Sequence, residues 1–287
     1  MKIYSIPAGN LKLDGGAMFG VVPKILWQKV YPADENNLCN WAMRCMLIVD
    51  KDRKILIDTG AGDKQGEKFS GIYHFNGDDT LLKSLSKYNF HPEDITDVII
   101  THLHFDHVGG AVMYNNDRTK LELPFKNANY WVSEQQWALA KNPNRKEKAS
   151  LFKENIFPIE ESGHLKLISK ETQLFPNVFI KLFYGHTDGQ LIPFINFNNT
   201  QIIFSGDLIP SYAHIPVAYN MGYDNNPLVT IEEKEQLLNV AAGKKYLLFF
   251  EHDLYHECCT VQKTEKGFKA DNFFSLEEFC QKNNTDN

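Results

Sequence analysis

The segment THLHFDH at 101–107 places three histidines and one aspartate within six positions. His102 and His104 are two residues apart, so on an extended backbone their side chains point to the same side. Asp106 and His107 follow where the strand should give way to a turn. Neutral imidazoles and carboxylates are the ligands that zinc and similar divalent ions accept. The segment therefore predicts part of a metal site.

Further residues of the same chemistry lie near the ends of later predicted strands. His186, Asp207 and His252 each occupy such a position. Because the strand ends of one sheet meet at one rim, we expect these side chains to converge on a common site. Asp58 ends an earlier strand and is a candidate acceptor for the N–H of a ligand histidine, a partner that most metal-bound histidines have.

Two rounds of strands followed by helices organise the chain. This order predicts two sheets packed face to face with helices outside, and no Ser/Gly/Pro-rich linker divides residues 1–287 into separate domains. The predicted strands are 1–6, 43–50, 54–60, 97–101, 129–133, 178–184, 191–197, 201–207 and 246–253, with a hairpin turn at 50–53, an edge hairpin at 259–270 and helices at 80–89, after Ser133 and at 230–245.

The segment 141–177 is polar, charged and interrupted by prolines. Charge runs of this kind are typical of a solvated face. The alternative is an insertion near the active site.

The composition limits the classes of partner. A formal net charge of −6 argues against a dedicated nucleic-acid or anionic-membrane surface, because both need concentrated Lys and Arg. The five cysteines form no CxxC pair, which disfavours a zinc knuckle or a disulfide framework and favours buried thiols in a reducing compartment. The sequence shows no signal peptide and no apolar run of about 18 residues. We expect a cytoplasmic protein that acts on a small molecule.

The pattern HxHxDH at 102–107, followed by His186, Asp207 and His252 and preceded by DTG at 58–60, resembles the metallo-β-lactamase superfamily of dinuclear metallohydrolases. The resemblance covers nearly the whole chain. It implies an α+β fold, a four-layer αββα sandwich of two mixed β-sheets flanked by helices, with the metal site on one edge of the sheets. It also implies a first ion on His102, His104 and His186, a second ion on Asp106, His107 and His252, and Asp207 as the bridge between them.

The implied cofactors are two divalent metal ions, with Zn²⁺ expected and Co²⁺, Mn²⁺ or Fe²⁺ as alternatives. Two such ions about 3.5–4 Å apart share a water, lower its pKa to about 7 and polarise the substrate. The expected reaction is therefore hydrolysis by a metal-bridging hydroxide. It needs no serine or cysteine nucleophile.

The branch of the superfamily is indicated by departures from its other members. β-Lactamases of this fold typically have cysteine in place of Asp207, and flavodiiron proteins resemble HxExD, which is absent. The tRNA-processing nucleases need a basic surface, and glyoxalase II usually carries a C-terminal helical domain. The stretches 11–27 and 205–224 resemble N-acyl-homoserine lactonases and organophosphate hydrolases. They are apolar and aromatic, which suits an acyl tail, and the aromatic residues of 68–77 are further pocket candidates.

The expected function is lactone-ring opening of N-acyl-homoserine lactones, which is quorum quenching. The alternatives are a phosphotriesterase and another ester or thioester hydrolase similar to glyoxalase II. A non-catalytic ligand-binding member is disfavoured because all seven implied ligands are present. A homodimer is compatible with the sequence, and neither nucleic acid nor membrane is expected as a partner.

One position departs from the known lactonases of this branch. They place a catalytic tyrosine three residues after the bridging aspartate, where this chain has Pro210. Tyr212, His214 and Tyr223 are the candidates to supply the hydrogen bond to the lactone carbonyl or the leaving alkoxide. With Asp106 and Asp207 they form the predicted catalytic set.

Overall fold

A computed structural model describes residues 1–283 of the chain. The strands are β1 (Lys2–Asp14), β2 (Leu38–Asp50), β3 (Arg53–Ile57), β4 (Asp97–Ile99), β5 (Met113–Tyr114), β6 (Leu121–Glu122), β7 (Asn129–Ser133), β8 (Leu165–Ile168), β9 (Thr172–Phe175), β10 (Val178–Phe183), β11 (Gln190–Phe197), β12 (Thr200–Phe204), β13 (Leu247–Phe249), β14 (Cys258–Thr264) and β15 (Gly267–Phe274).

The α-helices are α1 (Gly15–Phe19), α2 (Lys24–Trp27), α3 (Glu67–Tyr73), α4 (Leu81–Lys87), α5 (Phe105–Val108), α6 (Glu134–Lys141), α7 (Lys153–Glu161), α8 (Pro227–Lys244) and α9 (Leu276–Asn283). Short 3₁₀ turns lie at Pro92–Asp94, Gly109–Ala111, Glu147–Ala149, Gly206–Leu208 and Tyr212–His214.

A six-stranded mixed sheet has the order β1-β2-β3-β4-β7-β8. Strands β2 and β3 form the predicted hairpin, with Asp50 opposite Arg53 and Lys51 in the left-handed region at φ 54°. Strands β3, β4, β7 and β8 run parallel to one another. Parallel strands end at the same edge, so the loops after β3 and β4 emerge side by side.

A seven-stranded mixed sheet has the order β15-β14-β13-β12-β11-β10-β9. Strands β12 and β13 are parallel, whereas β11–β12, β13–β14 and β14–β15 are antiparallel. The predicted edge hairpin is confirmed, because β15 lies at the edge and Thr264 pairs with Gly267 at the turn.

The chain forms two compact units, and strands β1, β2 and β11 contribute residues to both. The first unit comprises Met1–Gly9, Met43–Lys170 and Gly189–Leu191, and its core includes Leu56, Val98 and Tyr130. The second comprises Asn10–Ala42, Glu171–Asp188 and Ile192–Asn287, and its core includes Ile203, Leu248 and Phe268. The single domain expected from the sequence stays a prediction.

The segment 141–177 contributes one strand to the six-stranded sheet and one to the seven-stranded sheet. Strand β8 pairs in parallel with β7, and β9 pairs with β10. Helix α7 contributes the buried residues Ile156 and Ile159 to the core of the first unit. The charge run of this segment is typical of a solvated face, but the segment also provides strands and buried core residues.

Two further expectations concern the thiols and the long helix. Each of the five cysteines is buried, and none forms a disulfide, as predicted. Helix α8 begins at Pro227, three residues before its predicted start, because proline suits the first turn of a helix.

Among residues 1–283, none of the helices combines the length and the apolar character that a bilayer crossing requires.

A buried aspartate ties three strands of the six-stranded sheet together. The side chain of Asp97, at the start of β4, is fully buried. Its carboxylate accepts hydrogen bonds from Arg53 Nη1 at 2.8 Å on β3 and from Trp131 Nε1 at 2.9 Å on β7. The hydroxyl of Thr96 adds a third contact at 2.8 Å.

We predict that Asp97→Ala lowers the free energy of unfolding by about 2–3 kcal/mol, because it removes a buried charged acceptor that three donors share. Asp52→Ala, at the exposed β2–β3 turn, is the control and should change the value by less than about 0.5 kcal/mol. Urea unfolding measures both variants. Equal stability of the two would contradict the role assigned to Asp97.

Candidate metal centre

The histidine cluster lies where strand β4 ends. Backbone pairing continues one residue beyond β4, from Ile100 N to the carbonyl of Trp131 at 3.0 Å. His104 keeps an extended backbone at φ −66° and ψ 152°, and α5 begins at the next residue. The rings of His102 and His104 have centroids 4.5 Å apart, and those of His102 and His107 are 3.9 Å apart. The first two histidines lie in the segment between β4 and α5, and Asp106 and His107 lie in α5.

Asp58, directly after β3, organises this cluster. Its oxygens accept from Thr101 N at 2.7 Å and Thr101 Oγ1 at 2.6 Å, and Oδ2 lies 3.1 Å from His107 Nδ1. This geometry agrees with the predicted acceptor role. Since the Thr101 hydroxyl donates to Asp58, its oxygen can accept from His102 Nδ1, 3.1 Å away. One carboxylate thus orients two histidines, directly and through a hydroxyl.

Glu147 was missed by the sequence reasoning. It lies in the 3₁₀ turn Glu147–Ala149, within the predicted insertion 141–177, and only 3% of it is exposed. Its Oε1 is 3.2 Å from His104 Nε2, and its backbone N–H donates to Asn144 Oδ1 at 2.9 Å. In the sequence it stands among lysines, so its spacing gives no signal of burial.

Asp207 contacts two of the later histidines. Strand β12 ends at Phe204, and the aspartate follows in the turn Gly206–Leu208, where Gly206 has φ 45°. Its Oδ2 lies 3.3 Å from His186 Nε2, and its Oδ1 lies 3.0 Å from His252 Nε2. A carboxylate that uses a different oxygen for each histidine has the geometry expected of a bridging ligand.

Oxygen acceptors also hold the far side of these two rings. His186 Nδ1 is 2.9 Å from Asp224 Oδ1, and His252 Nδ1 is 2.8 Å from the carbonyl of Ala42. Asp224 was assigned to a pocket stretch on the basis of the sequence, and its role as the partner of His186 was missed. Its position after a loop of aromatic and apolar residues gives no local signal of this contact.

The residues fit a divalent cation. In each of the five histidines one ring nitrogen lies 2.8–3.2 Å from an oxygen, which favours the proton on that nitrogen and leaves a lone pair on the other. The lone pairs of His186 and His252 then face the carboxylate of Asp207, an unfavourable arrangement that a bound cation relieves.

All seven predicted ligands are buried.

His214 is held on both sides by the protein. Its Nδ1 accepts from Ser211 Oγ at 2.8 Å, and its Nε2 donates to the carbonyl of Met18 at 2.9 Å. Its ring stacks on Phe19 at 4.6 Å. Burial lowers the pKa of His214 to about 3, so the ring stays neutral at physiological pH. These contacts favour a structural role over the predicted catalytic one.

The two tyrosine candidates differ in exposure. The hydroxyl of Tyr212 donates to the carbonyl of Val30, and its backbone N–H donates to Asp253. Burial, with a further contribution from Asp253, raises the pKa of Tyr212. Tyr223 is 38% exposed. Pro210, at the family's tyrosine position, uses its carbonyl to accept from the His252 N–H at 3.1 Å.

An aromatic cluster lies next to the HxHxDH segment. The ring of Phe105 is 5.0 Å from Phe69 and 4.7 Å from Tyr73, both on α3, and Phe69 is 5.3 Å from Phe152. Burial and the charge of Asp106 raise the pKa of Tyr73. Two of the aromatic residues predicted to line a pocket, Phe69 and Tyr73, therefore lie beside the metal-site segment.

The family model described as the metallo-beta-lactamase superfamily matches residues 44–252. The chain belongs to the metallo-beta-lactamase superfamily. It is a metal-dependent hydrolase of that superfamily, and its α+β fold of two mixed sheets with helices is the fold predicted from the sequence.

Similar proteins agree with this assignment. The crystal structure of a probable metal-dependent hydrolase from Staphylococcus aureus has 30% identity and a TM-score of 0.87, covering 96% of this chain and 97% of that chain. The N-acyl homoserine lactonase AiiA of Bacillus thuringiensis subsp. kurstaki is 25% identical over 280 residues, covering 89% of this chain and 94% of its own length. The dizinc quorum-quenching lactonase AidC has 21% identity and a TM-score of 0.74, with 95% of both chains covered.

We predict that Asp58→Asn weakens metal binding about 10- to 100-fold, the usual effect of losing a partner of a ligand histidine. Asparagine tolerates the left-handed φ of 57° at this position, so the backbone should persist. The measurement is metal retained against a competing chelator, with circular dichroism as a check on folding. Asp63→Asn, on a side chain that is 67% exposed, is the control and should bind like wild type. Wild-type affinity in Asp58→Asn would show that His107 does not depend on this carboxylate.

Proposed function

We propose that the protein opens the lactone ring of N-acyl-homoserine lactones by metal-dependent hydrolysis, and that it thereby acts in quorum quenching. The observation that carries the proposal is the buried set of five histidines and two aspartates, in which every imidazole has one nitrogen held by an oxygen. Such a set suits hydrolysis at neutral pH without a side-chain nucleophile.

The proposed ligands are those that the resemblance implies. His102, His104 and His186 would hold one ion, Asp106, His107 and His252 would hold the other, and Asp207 would be available to both. We propose zinc as the metal, because imidazole nitrogen and carboxylate oxygen are among its usual ligands. AidC, a dizinc lactonase of similar fold, supports this choice.

The two ions, when bound, supply an activated water and polarise the substrate carbonyl. The protein's own contribution is orientation. Asp58, Glu147 and Asp224 fix the ring nitrogens of their histidines, so little rearrangement is needed when charge develops in the substrate. Burial of the ligands keeps bulk water away and strengthens each electrostatic interaction.

Further groups of the chain bear on substrate positioning. Asp106, proposed as a ligand and as a catalytic carboxylate, has its Oδ1 3.9 Å from His107 Nε2. Of the three candidates for the missing tyrosine, Tyr223 has the exposed side chain, and we retain it as the proposed donor to the substrate oxygen.

The substrate class is supported by the aromatic cluster of Phe69, Tyr73, Phe105 and Phe152. These half-buried or buried rings beside the HxHxDH segment offer apolar surface to an acyl chain. The names of the relatives support the same class, since AiiA and AidC are described as lactonases of this kind.

The test is a substrate panel with protein reconstituted with zinc or cobalt: a medium-chain N-acyl-homoserine lactone, a phosphotriester and a glutathione thioester. We expect a lactone kcat/KM above about 10⁴ M⁻¹s⁻¹, within the usual range for good substrates, and values at least about 100-fold lower for the other two. Asp207→Asn should abolish the activity, whereas the matched control Asp188→Asn, on an exposed residue, should keep it.

Faster turnover of the phosphotriester or the thioester than of the lactone would overturn the substrate assignment. Full activity of Asp207→Asn would overturn the proposed site.

A further inference from the structure

Lys234 of α8 is a fully buried lysine. Its ammonium donates to the carbonyls of Pro216, Val217 and Tyr219 at 3.1, 3.3 and 2.7 Å. These three acceptors match the three N–H donors of a lysine, so the charge is fully hydrogen-bonded. Burying a charge is costly, and an apolar residue would fill the same space at lower cost if packing alone were needed. Lys234 therefore has a specific task on the segment 216–219.

Glu233, the preceding residue, holds a different segment. Its carboxylate accepts from the backbone N–H of Tyr184 at 2.7 Å and of Gly185 at 2.9 Å, immediately before His186. The N–H of Asn226 donates to the Gly185 carbonyl at 2.8 Å.

The backbone at Gly185 lies so close to helix α8 that only glycine fits at position 185. A Cβ added there would lie 2.4 Å from the backbone nitrogen of Thr230, on α8. The His186 segment is thus fixed against the first turns of this helix.

The two held segments carry the two partners of one hydrogen bond. The segment held by Lys234 leads into a turn in which Asp224 N–H donates to Met221 O at 3.2 Å and Met221 N–H donates to Asp224 Oδ2 at 3.1 Å. The other carboxylate oxygen, Asp224 Oδ1, lies 2.9 Å from His186 Nδ1. Consecutive residues of one helix therefore anchor both the histidine and its carboxylate partner.

We propose that Glu233 and Lys234 form a positioning pair that fixes the His186–Asp224 hydrogen bond and so directs His186 Nε2 towards Asp207 and the metal. The proposal rests on the ligand role of His186 proposed above. Neither residue touches the substrate in this account. Both act through the backbone segments that they hold.

The test compares Glu233→Gln and Lys234→Met with two controls. Glu232→Gln changes an exposed neighbouring charge, and Leu238→Ala removes a buried core side chain of the same helix. The first readout is the ¹H–¹⁵N NMR signal of His186 Nδ1–H in metal-free protein, assigned with His186→Gln. The second is the affinity for cobalt(II), with the visible spectrum of the cobalt form.

We expect both pair variants to shift or lose the Nδ1–H signal and to weaken binding of one of two cobalt ions about 10-fold or more. Glu232→Gln should match wild type, and Leu238→Ala should lower stability while leaving the signal and the affinity unchanged. Unchanged signal and affinity in both pair variants would overturn the proposal. Equal perturbation by Leu238→Ala would also overturn it, because loss of stability would then explain the effect.

Failure of the proposed function has a different signature. A wild-type protein that binds two cobalt ions without lactone hydrolysis refutes the substrate and leaves both readouts of the pair intact. A wild-type protein that binds no cobalt refutes the metal role of His186. That result would also overturn the proposal of a positioning pair, even if the NMR signal responded to the variants.

Discussion

The hydrogen bond from one ring nitrogen of each buried histidine to an oxygen is the constraint on which the site depends. A buried neutral imidazole whose tautomer is not fixed by a hydrogen bond could present either a proton or a lone pair to a metal ion. Asp58, Thr101, Glu147, Asp224 and the carbonyl of Ala42 remove that choice for the five histidines. The architecture around the site serves to bring these oxygens to the right nitrogens, from the parallel ends of β3 and β4 to the loop that contains Asp224.

This constraint also explains where the structure tolerates unusual backbone and buried charge. Asp58 takes a left-handed φ of 57° so that both carboxylate oxygens can reach Thr101 while one faces His107. Lys234 remains buried on three carbonyls. In the proposed site the lone pairs of His186 and His252 face the carboxylate of Asp207 until a cation lies between them, so metal binding and folding should reinforce each other.

The sequence predicts what is encoded locally. The strands, the hairpin at 50–53 and the helix after Ser133 follow from short-range patterns, and Ser133 Oγ does cap the helix by accepting from Gln136 N at 3.0 Å. The proposed ligand set follows from the sequence because four of its members lie within six positions and the other three complete a family pattern.

The partners of the ligands were mostly not predictable. Glu147, Asp224 and Glu233 lie 43, 38 and about 48 residues from the groups that they hold, and nothing in their neighbouring residues distinguishes them from surface acids. Tyr212 and His214 show the opposite limit. Their residue types suggested chemistry, but the Tyr212 hydroxyl and His214 Nε2 donate to backbone carbonyls, and His214 Nδ1 accepts from Ser211 Oγ. Side-chain type is visible in a sequence, whereas the group that a side chain meets depends on the tertiary fold.

The central claim is that the seven residues hold two ions, and anomalous diffraction at the zinc edge from zinc-grown crystals tests it most directly. The account predicts two peaks about 3.5–4 Å apart. One should lie about 2.0–2.1 Å from nitrogens of His102, His104 and His186, the other at that distance from His107 and His252, with Asp207 in contact with both. A single peak, or zinc bound elsewhere while these histidines stay unligated, would contradict it.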